Sequence, residues 1–144
     1  MRMTRIVLKA KRDYSVRKHH PWIFSGAIAL DCGGTNVDAL LSGETVEVVS
    51  AAGETLGYGS YSPTSQIRVR MLSFNPKTVP DEAFVADLVS RAVTRRANFF
   101  AKDETNAVRL VNAESDGLPG VVADCYDGWI VYGNYGKHSS IVPN

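Results

Sequence analysis

The sequence predicts an α+β fold, with a small β-barrel followed by a partial second α+β domain in which a helix is flanked by antiparallel strands. Three observations carry this reading. Short β-rich runs crowd the first half, two prolines within residues 75–80 interrupt them, and one long run with helical apolar spacing follows before strand patterning resumes. At 144 residues, with 44% hydrophobic and 22% charged residues, the chain is in the ordinary globular range and suits one medium domain or two small ones.

Residues 4–10 read as a short cationic strand, with Ile6 and Leu8 on one face and Arg5, Val7 and Lys9 on the other. Asp13 is placed to cap a helical turn over residues 14–19, which must stop there because Pro21 disfavours helical geometry at His20. His20-Pro21-Trp22 is then a turn, residues 23–30 are apolar and small, and Gly33-Gly34-Thr35-Asn36 has loop composition. Residues 45–49 and 56–61 form a hairpin around Ala51-Ala52-Gly53-Glu54, with Gly53 supplying a positive φ. In residues 66–74 the alternation turns Ile67, Val69 and Met71 to the core and puts Arg68 and Arg70 on the other face.

The break at 75–80 sets a domain boundary, giving domains over 1–76 and 77–132 and an irregular tail over 133–144, where periodicity is lost. Pro80, Asp81 and Glu82 mark a helix start, and Phe84, Leu88, Ala92 and Phe99 recur at helical spacing to an end near Ala101. Asp87 can pair with Arg91 one turn on, and Arg91, Arg95 and Arg96 read as a solvated face. Residues 107–113 and 121–125 are strands around the tight turn Asp116-Gly117-Leu118-Pro119-Gly120, and Asp127-Gly128 signals another hairpin.

The net charge of +1 hides a segregation. Arg2, Arg5, Lys9, Lys11, Arg12, Arg17 and Lys18 oppose a single acid, Asp13, in the first twenty residues, and His19 and His20 extend the patch. No Lys or Arg follows until Arg68 and Arg70, while Asp31, Asp38, Glu44, Glu47 and Glu54 intervene. Such a distribution suits a polyanion, although a lopsided solvated surface has the same composition. Cations neutralise phosphates and exposed aromatics stack on unpaired bases, so Lys9, Lys11, Arg12, Arg17, Lys18, His19, His20 and Trp22, joined by Arg68 and Arg70, are the candidate RNA-binding residues. Phe24 is assigned to the core rather than to this face.

Catalytic signatures are absent from the sequence. Gly57-Tyr58-Gly59 and Gly117 to Gly120 do not form a dinucleotide fingerprint, no phosphate-binding Walker sequence occurs, and His19, His20 and His138 have no metalloprotease spacing. Glu114 and Asp116 could form an acid and base pair, but turn formation accounts for Asp116. Cys32 and Cys125 lack metal-ligand spacing and read as unpaired thiols. No apolar run approaches the roughly 20 residues of a membrane span, so a cytoplasmic protein without membrane or metal partners is expected.

Several segments resemble the bacterial class I S-adenosylmethionine-dependent rRNA large-subunit cytosine-C5 methyltransferases. They are Ile6-Val7-Leu8-Lys9, the run Arg17-Lys18-His19-His20-Pro21-Trp22-Ile23-Phe24-Ser25-Gly26-Ala27-Ile28, Gly57-Tyr58-Gly59-Ser60-Tyr61-Ser62-Pro63 and Ser65-Gln66-Ile67-Arg68-Val69-Arg70. Thr105-Asn106-Ala107-Val108-Arg109-Leu110-Val111-Asn112-Ala113-Glu114 and Asp116-Gly117-Leu118-Pro119-Gly120 continue the series in collinear order. The resemblance implies an N-terminal PUA domain for RNA, a central α+β domain and a C-terminal Rossmann-like methyltransferase domain, of which this chain holds the first and most of the second. It implies no catalytic or cofactor residue here, since neither cysteine matches the family's catalytic motif. S-adenosylmethionine is expected only for a full-length member. The function expected is therefore an RNA-binding targeting portion, inactive alone, with large-subunit rRNA as partner; the alternative is a stand-alone PUA-type RNA-binding or adaptor protein.

Overall fold

The computed structural model describes residues 3–30, 32, 34, 37–100, 105–134 and 140–143. Expectations for Arg2, Asp31, Gly33, Thr35, Asn36, Ala101 and residues 135–139, His138 among them, lie outside these. The chain divides into two compact units, Met1–Pro80 and Asp81–Asn144.

In the first unit, β1 (Arg5–Val7), β2 (Trp22–Phe24), β3 (Thr45–Val49), β4 (Thr55–Tyr61) and β5 (Ile67–Ser73) form one sheet in the order β1-β3-β4-β5-β2. β1 runs parallel to β3 and the other pairs are antiparallel. The N-terminal strand is thus at the opposite edge from β2, and it is β2 that lies beside β5. A Leu8 to Ile28 bridge, with Lys9 N donating to Ala27 O and Ala29 N to Val7 O, curls the two edges toward one another. Ile6, Leu8, Val46, Val48, Val69 and Met71 fill the interior at 2% exposure or less, as alternation requires of inward positions. Gly53 has φ +87 in the β3 to β4 loop, as that hairpin demands. Gly57 and Gly59 have another role, since a Cβ on Gly57 would lie 2.1 Å from Ser73 O and one on Gly59 2.7 Å from Arg70 O. They let β4 and β5 approach closely.

α1 (Tyr14–Arg17) is shorter than the expected turn over 14–19, and Asp13 makes no side-chain cap. Its carboxylate accepts from Arg17 Nε at 2.7 Å instead, a geometry that the helical backbone at Asp13 favours over capping.

In the second unit, α2 (Glu82–Arg95) starts at Asp81, whose Oδ1 accepts from Phe84 N at 2.7 Å. It packs on a sheet ordered β6 (Ala107–Asn112), β7 (Val121–Tyr126), β8 (Trp129–Asn134), β9 (Ser140–Pro143). Ala92 is fully buried, and Leu88, Val89 and Val93 share its face against Leu110, Val111, Leu118 and Cys125. Phe99 does not continue this stripe: the backbone leaves helical geometry at Arg96 before α3 (Ala97–Phe100), and Phe99 is 57% exposed. The irregular tail expected over 133–144 is also corrected, because Gly133 and Asn134 complete β8 and β9 pairs antiparallel with it, Pro143 opposite Trp129. An edge strand is held by main-chain hydrogen bonds, which need no apolar periodicity. Both cysteines are free and buried.

Candidate nucleic-acid interface

Strand β2 has a buried residue, Ile23, between two outward ones, Trp22 at 37% and Phe24 at 49% exposure. Side chains repeat every two residues on a strand, so Trp22 and Phe24 share one outer face. The assignment of Phe24 to the core is therefore overturned. Because the bridge at Leu8 brings the end of β1 against residues 26–29, the turn over residues 9–12 comes to lie next to this aromatic face. Lys9 Nζ donates to Gly26 O at 2.9 Å. Between the two segments is a pocket of about 270 Å³ walled by Arg12, Ser15, Trp22, Phe24, Gly26 and Ala27.

The ten sequence-predicted residues fall into three groups by what their side chains touch. Arg12 and Trp22 line the pocket, and Lys9 bonds to the carbonyl of Gly26 in its wall. Lys11, adjacent to Arg12, is exposed, and neither of these two makes a side-chain hydrogen bond or ion pair among the described residues. Lys18 is exposed beside α1, its Nζ 5.8 Å from the ring centre of Tyr14, and the His20 ring meets Trp22 edge-on at 5.8 Å.

Arg17 differs from these, since it holds Asp13 at 2.7 Å and Glu54 at 2.6 Å. Hydrogen bonds to Glu54 and Asp13 raise the guanidinium's pKa, and the bond from Arg17 lowers both carboxylates below their ordinary values. Arg17 is thus an already compensated cation. It lines a second pocket of about 250 Å³ with Glu54, Phe74 and His19, whose ring stacks on Phe74 at 4.7 Å.

Arg68 and Arg70 form the third group. Arg70 is directly opposite Trp22 in the β2 to β5 register, so it flanks the aromatic face. Its Nη1 donates to Ile67 O at 3.3 Å, and Arg68 donates to Pro63 O. Both are half-buried with part of their donor capacity engaged on backbone carbonyls.

Sequence reasoning missed Ser15 and Gly26, whose only signal was proximity to other site residues, and Phe24, whose i, i+2 spacing from Trp22 was a usable signal. In the second unit, Arg95 at the end of α2 and Arg96 just after it hold a buried carboxylate, while Arg91 pairs with Asp87 on the exposed face. Asp116, 3% exposed, is held by Arg95 at 2.7 Å, by Arg96 at 2.9 Å and by the Asn112 amide at 2.6 Å. Burial pushes its pKa up, but the Arg96 hydrogen bond, the Asn112 amide and the charges of Arg96 and Arg95 outweigh that and leave it lowered. Turn formation therefore does not by itself explain Asp116.

This curled sheet, with short strands around one core, is a PUA-like domain: residues 6–74 match that family. Over a longer span the chain is similar to "Ribosomal RNA large subunit methyltransferase I" of Alteromonas mediterranea, 41% identical over 122 residues, covering 85% of this chain and 30% of that protein. The Escherichia coli protein of the same name is 40% identical over 127 residues, 88% of this chain and 31% of its own length. The chain thus spans about 30% of these relatives. A solved methyltransferase-class structure complexed with SAH superposes with a TM-score of 0.76 at 22% identity, over 94% of this chain and 33% of that one. A second, assigned as a SAM-dependent methyltransferase of Streptococcus mutans, gives 0.75 at 21% identity.

Among the described residues, Gly57, Gly59, Gly117 and Gly120 do not form a SAM-type cofactor cradle. Gly57 and Gly59 serve strand packing, and Gly117, at φ +72, ends a short 3-10 turn that leads through Gly120 into a strand rather than a helix. Among the described residues no cluster of metal-ligating side chains occurs, and no helix is long and apolar enough to cross a membrane.

Proposed function

We propose that this chain is the RNA-binding targeting portion of an rRNA large-subunit cytosine-C5 methyltransferase. Methyl transfer and S-adenosylmethionine binding then fall to the part of the relatives' length that this chain does not match. The observation that carries the reading is the juxtaposition of Arg12, which like its neighbour Lys11 makes no ion pair among the described residues, with the exposed Trp22 and Phe24 on a PUA-like domain. Uncompensated cations bind phosphates without first breaking an ion pair, and exposed rings stack on bases of unpaired RNA. The similarity to rRNA methyltransferases makes large-subunit rRNA the expected partner.

Charge reversal at Lys11 and Arg12 is the direct test. Binding to a large-subunit rRNA fragment is expected to weaken by roughly tenfold per lost contact. The slope of log affinity against log salt should fall by about 0.7 to 0.9 for each contact. Circular dichroism should be unchanged, because exposed charges contribute little to folding. Retained affinity with an unchanged slope would move the site away from this face.

A further inference from the structure

We infer that Arg17 is a positioning residue for the candidate RNA-binding face: it does not contact the RNA, and instead fastens α1 to the hairpin loop between β3 and β4. This rests on the RNA-binding reading and reassigns within it a cation that sequence position groups with the contact residues.

α1 needs support from outside itself. A four-residue helix is too short to be stable alone, because its first turn fixes several residues for a single hydrogen bond. Asp13 adds no side-chain cap. Yet the face depends on where this helix sits: Arg12 comes just before Asp13, Ser15 is within α1, and His20 N donates back to Ser15 O at 2.9 Å. Trp22, by contrast, is held in β2 by its pairing with β5. A displaced α1 would therefore carry Arg12 and Ser15 away from Trp22.

Val16 secures the helix from below, buried in the core, and the His19 ring stacks on Phe74 just beyond its end. Arg17 secures it laterally. Its Nε donates to Asp13 Oδ2 at 2.7 Å and its Nη2 to Glu54 Oε2 at 2.6 Å, so one planar group spans two carboxylates that are 41 positions apart in the chain. Glu54 is a fixed anchor. Its carbonyl accepts from Ser50 N at 2.8 Å, its amide donates to Ser50 Oγ at 3.1 Å, and Ser50 is buried. An RNA phosphate at Arg17 would have to compete with both carboxylates beside it, whereas Arg12 presents no such competition. The same bonds that withdraw Arg17 from RNA thus hold the helix that presents its neighbours.

The experiment uses the full 144-residue chain with two variants, Arg17→Gln and Glu54→Ala, a large-subunit rRNA fragment as the probe, and amide hydrogen exchange as a second readout. In both variants the amides of Lys18 and His19, which donate to Tyr14 O and Val16 O, should exchange faster, while those between β3, β4 and β5 should not change. Melting temperature should hold, since exposed ion pairs contribute little to folding. RNA affinity should fall about three- to tenfold in both variants, in proportion to the fraction of chains that keep α1 in place. The salt slope should match the parent. A phosphate-binding Arg17 behaves differently: Glu54→Ala would free it and tighten binding, and Arg17→Gln would lower the slope by about 0.7 to 0.9. A Glu54→Ala chain that binds as tightly as the parent or more so, a reduced slope in Arg17→Gln, or unchanged exchange in α1 would each overturn the positioning role and leave RNA binding intact. A parent chain that binds no RNA would overturn the RNA-binding reading and this role with it.

Discussion

In the second unit Arg91, Arg95, Arg96 and Arg109 each lie against a carboxylate, whereas in the first unit Lys11 and Arg12 face solvent beside exposed rings. Both regions carry clustered cations along the chain, but the second unit holds more acids than cations while the first twenty residues hold a single acid. They differ in where the counter-charge sits: Asp87, Asp116 and Asp124 are positioned by helix spacing, by a turn and by strand register respectively, while Lys11 and Arg12 make no ion pair among the described residues. A cation already satisfied inside the fold contributes to structure, and one left unsatisfied is available to an external anion. Between the extremes lies Arg17, which sequence position groups with the binding cations and geometry groups with the structural ones.

The sharpest way to break this contrast is at Asp116. Asp116→Ala removes a carboxylate that satisfies two guanidinium groups and a backbone amide, and the second unit should lose about 2 to 3 kcal/mol. That is below the cost of breaking a fully buried pair, because Arg95 is 58% exposed and can return to water. RNA affinity should stay within twofold of the parent if the first unit alone forms the site. The pH dependence should follow. A carboxylate held below its ordinary value of 3.8 contributes stability that is complete above the unfolded pKa and is lost as pH falls through the lower folded pKa. Urea melts of the parent should therefore weaken in strongly acidic solution below about pH 4, and Asp116→Asn should flatten that dependence. A slope that Asp116→Asn leaves intact would assign the acid sensitivity elsewhere, with Asp124, lowered by its hydrogen bond from Arg109, as the next group.

How much of this was legible in the sequence depends on whether the deciding information is local. The β3 to β4 hairpin, the inward set Val69 and Met71, the Asp81 start of α2 and the Asp87 to Arg91 pair all follow from spacing and turn chemistry within a few residues. The cations Lys9, Lys11 and Arg12 and the ring of Trp22 were also evident as chemistry, but the turn at residues 9–12 was not, since a strand was expected through residue 10 and β1 ends at Val7. Closure of the first sheet through the Leu8 to Ile28 bridge was not, because it joins segments twenty residues apart, and it is what sets Lys9 beside Gly26. The same applies to Asp116, whose partners Arg95 and Arg96 come from another element, and to β9, whose pairing rests on main-chain groups that every residue carries. Phe24 is a different case, since strict alternation around Ile23 would have exposed it and the general preference of phenylalanine for interiors was weighted over that alternation.

A smaller effect is expected at the turn between β6 and β7. Gly117 has φ +72, and a Cβ there would be 3.5 Å from Leu88 Cδ2, an ordinary contact. The cost of Gly117→Val is therefore conformational rather than steric, about 1 to 2 kcal/mol for a side chain forced into the left-handed region. Thermal melting should register it, and RNA titration should not. Loss of RNA affinity with an unchanged melting curve would make this turn part of the binding surface and erase the contrast between the units.

The smallest effect on folding, and the most discriminating, is expected at Lys11. Lys11→Gly relieves a strained φ of +64 but adds chain entropy to the unfolded state, so the net change should be a stabilisation of no more than about 1 kcal/mol. The same change removes an exposed cation that makes no ion pair among the described residues, and the salt slope of RNA binding should fall by about 0.7 to 0.9. Stability and affinity would then move in opposite directions, which a merely structural residue cannot produce. Lys11→Arg separates the two causes, since it keeps both the charge and the strain and should match the parent in slope and melting temperature. If Lys11→Gly instead lowers the melting temperature and leaves RNA binding untouched, the turn at residues 9–12 is structural, and Lys11 joins Arg17 and the arginines of α2 rather than Arg12.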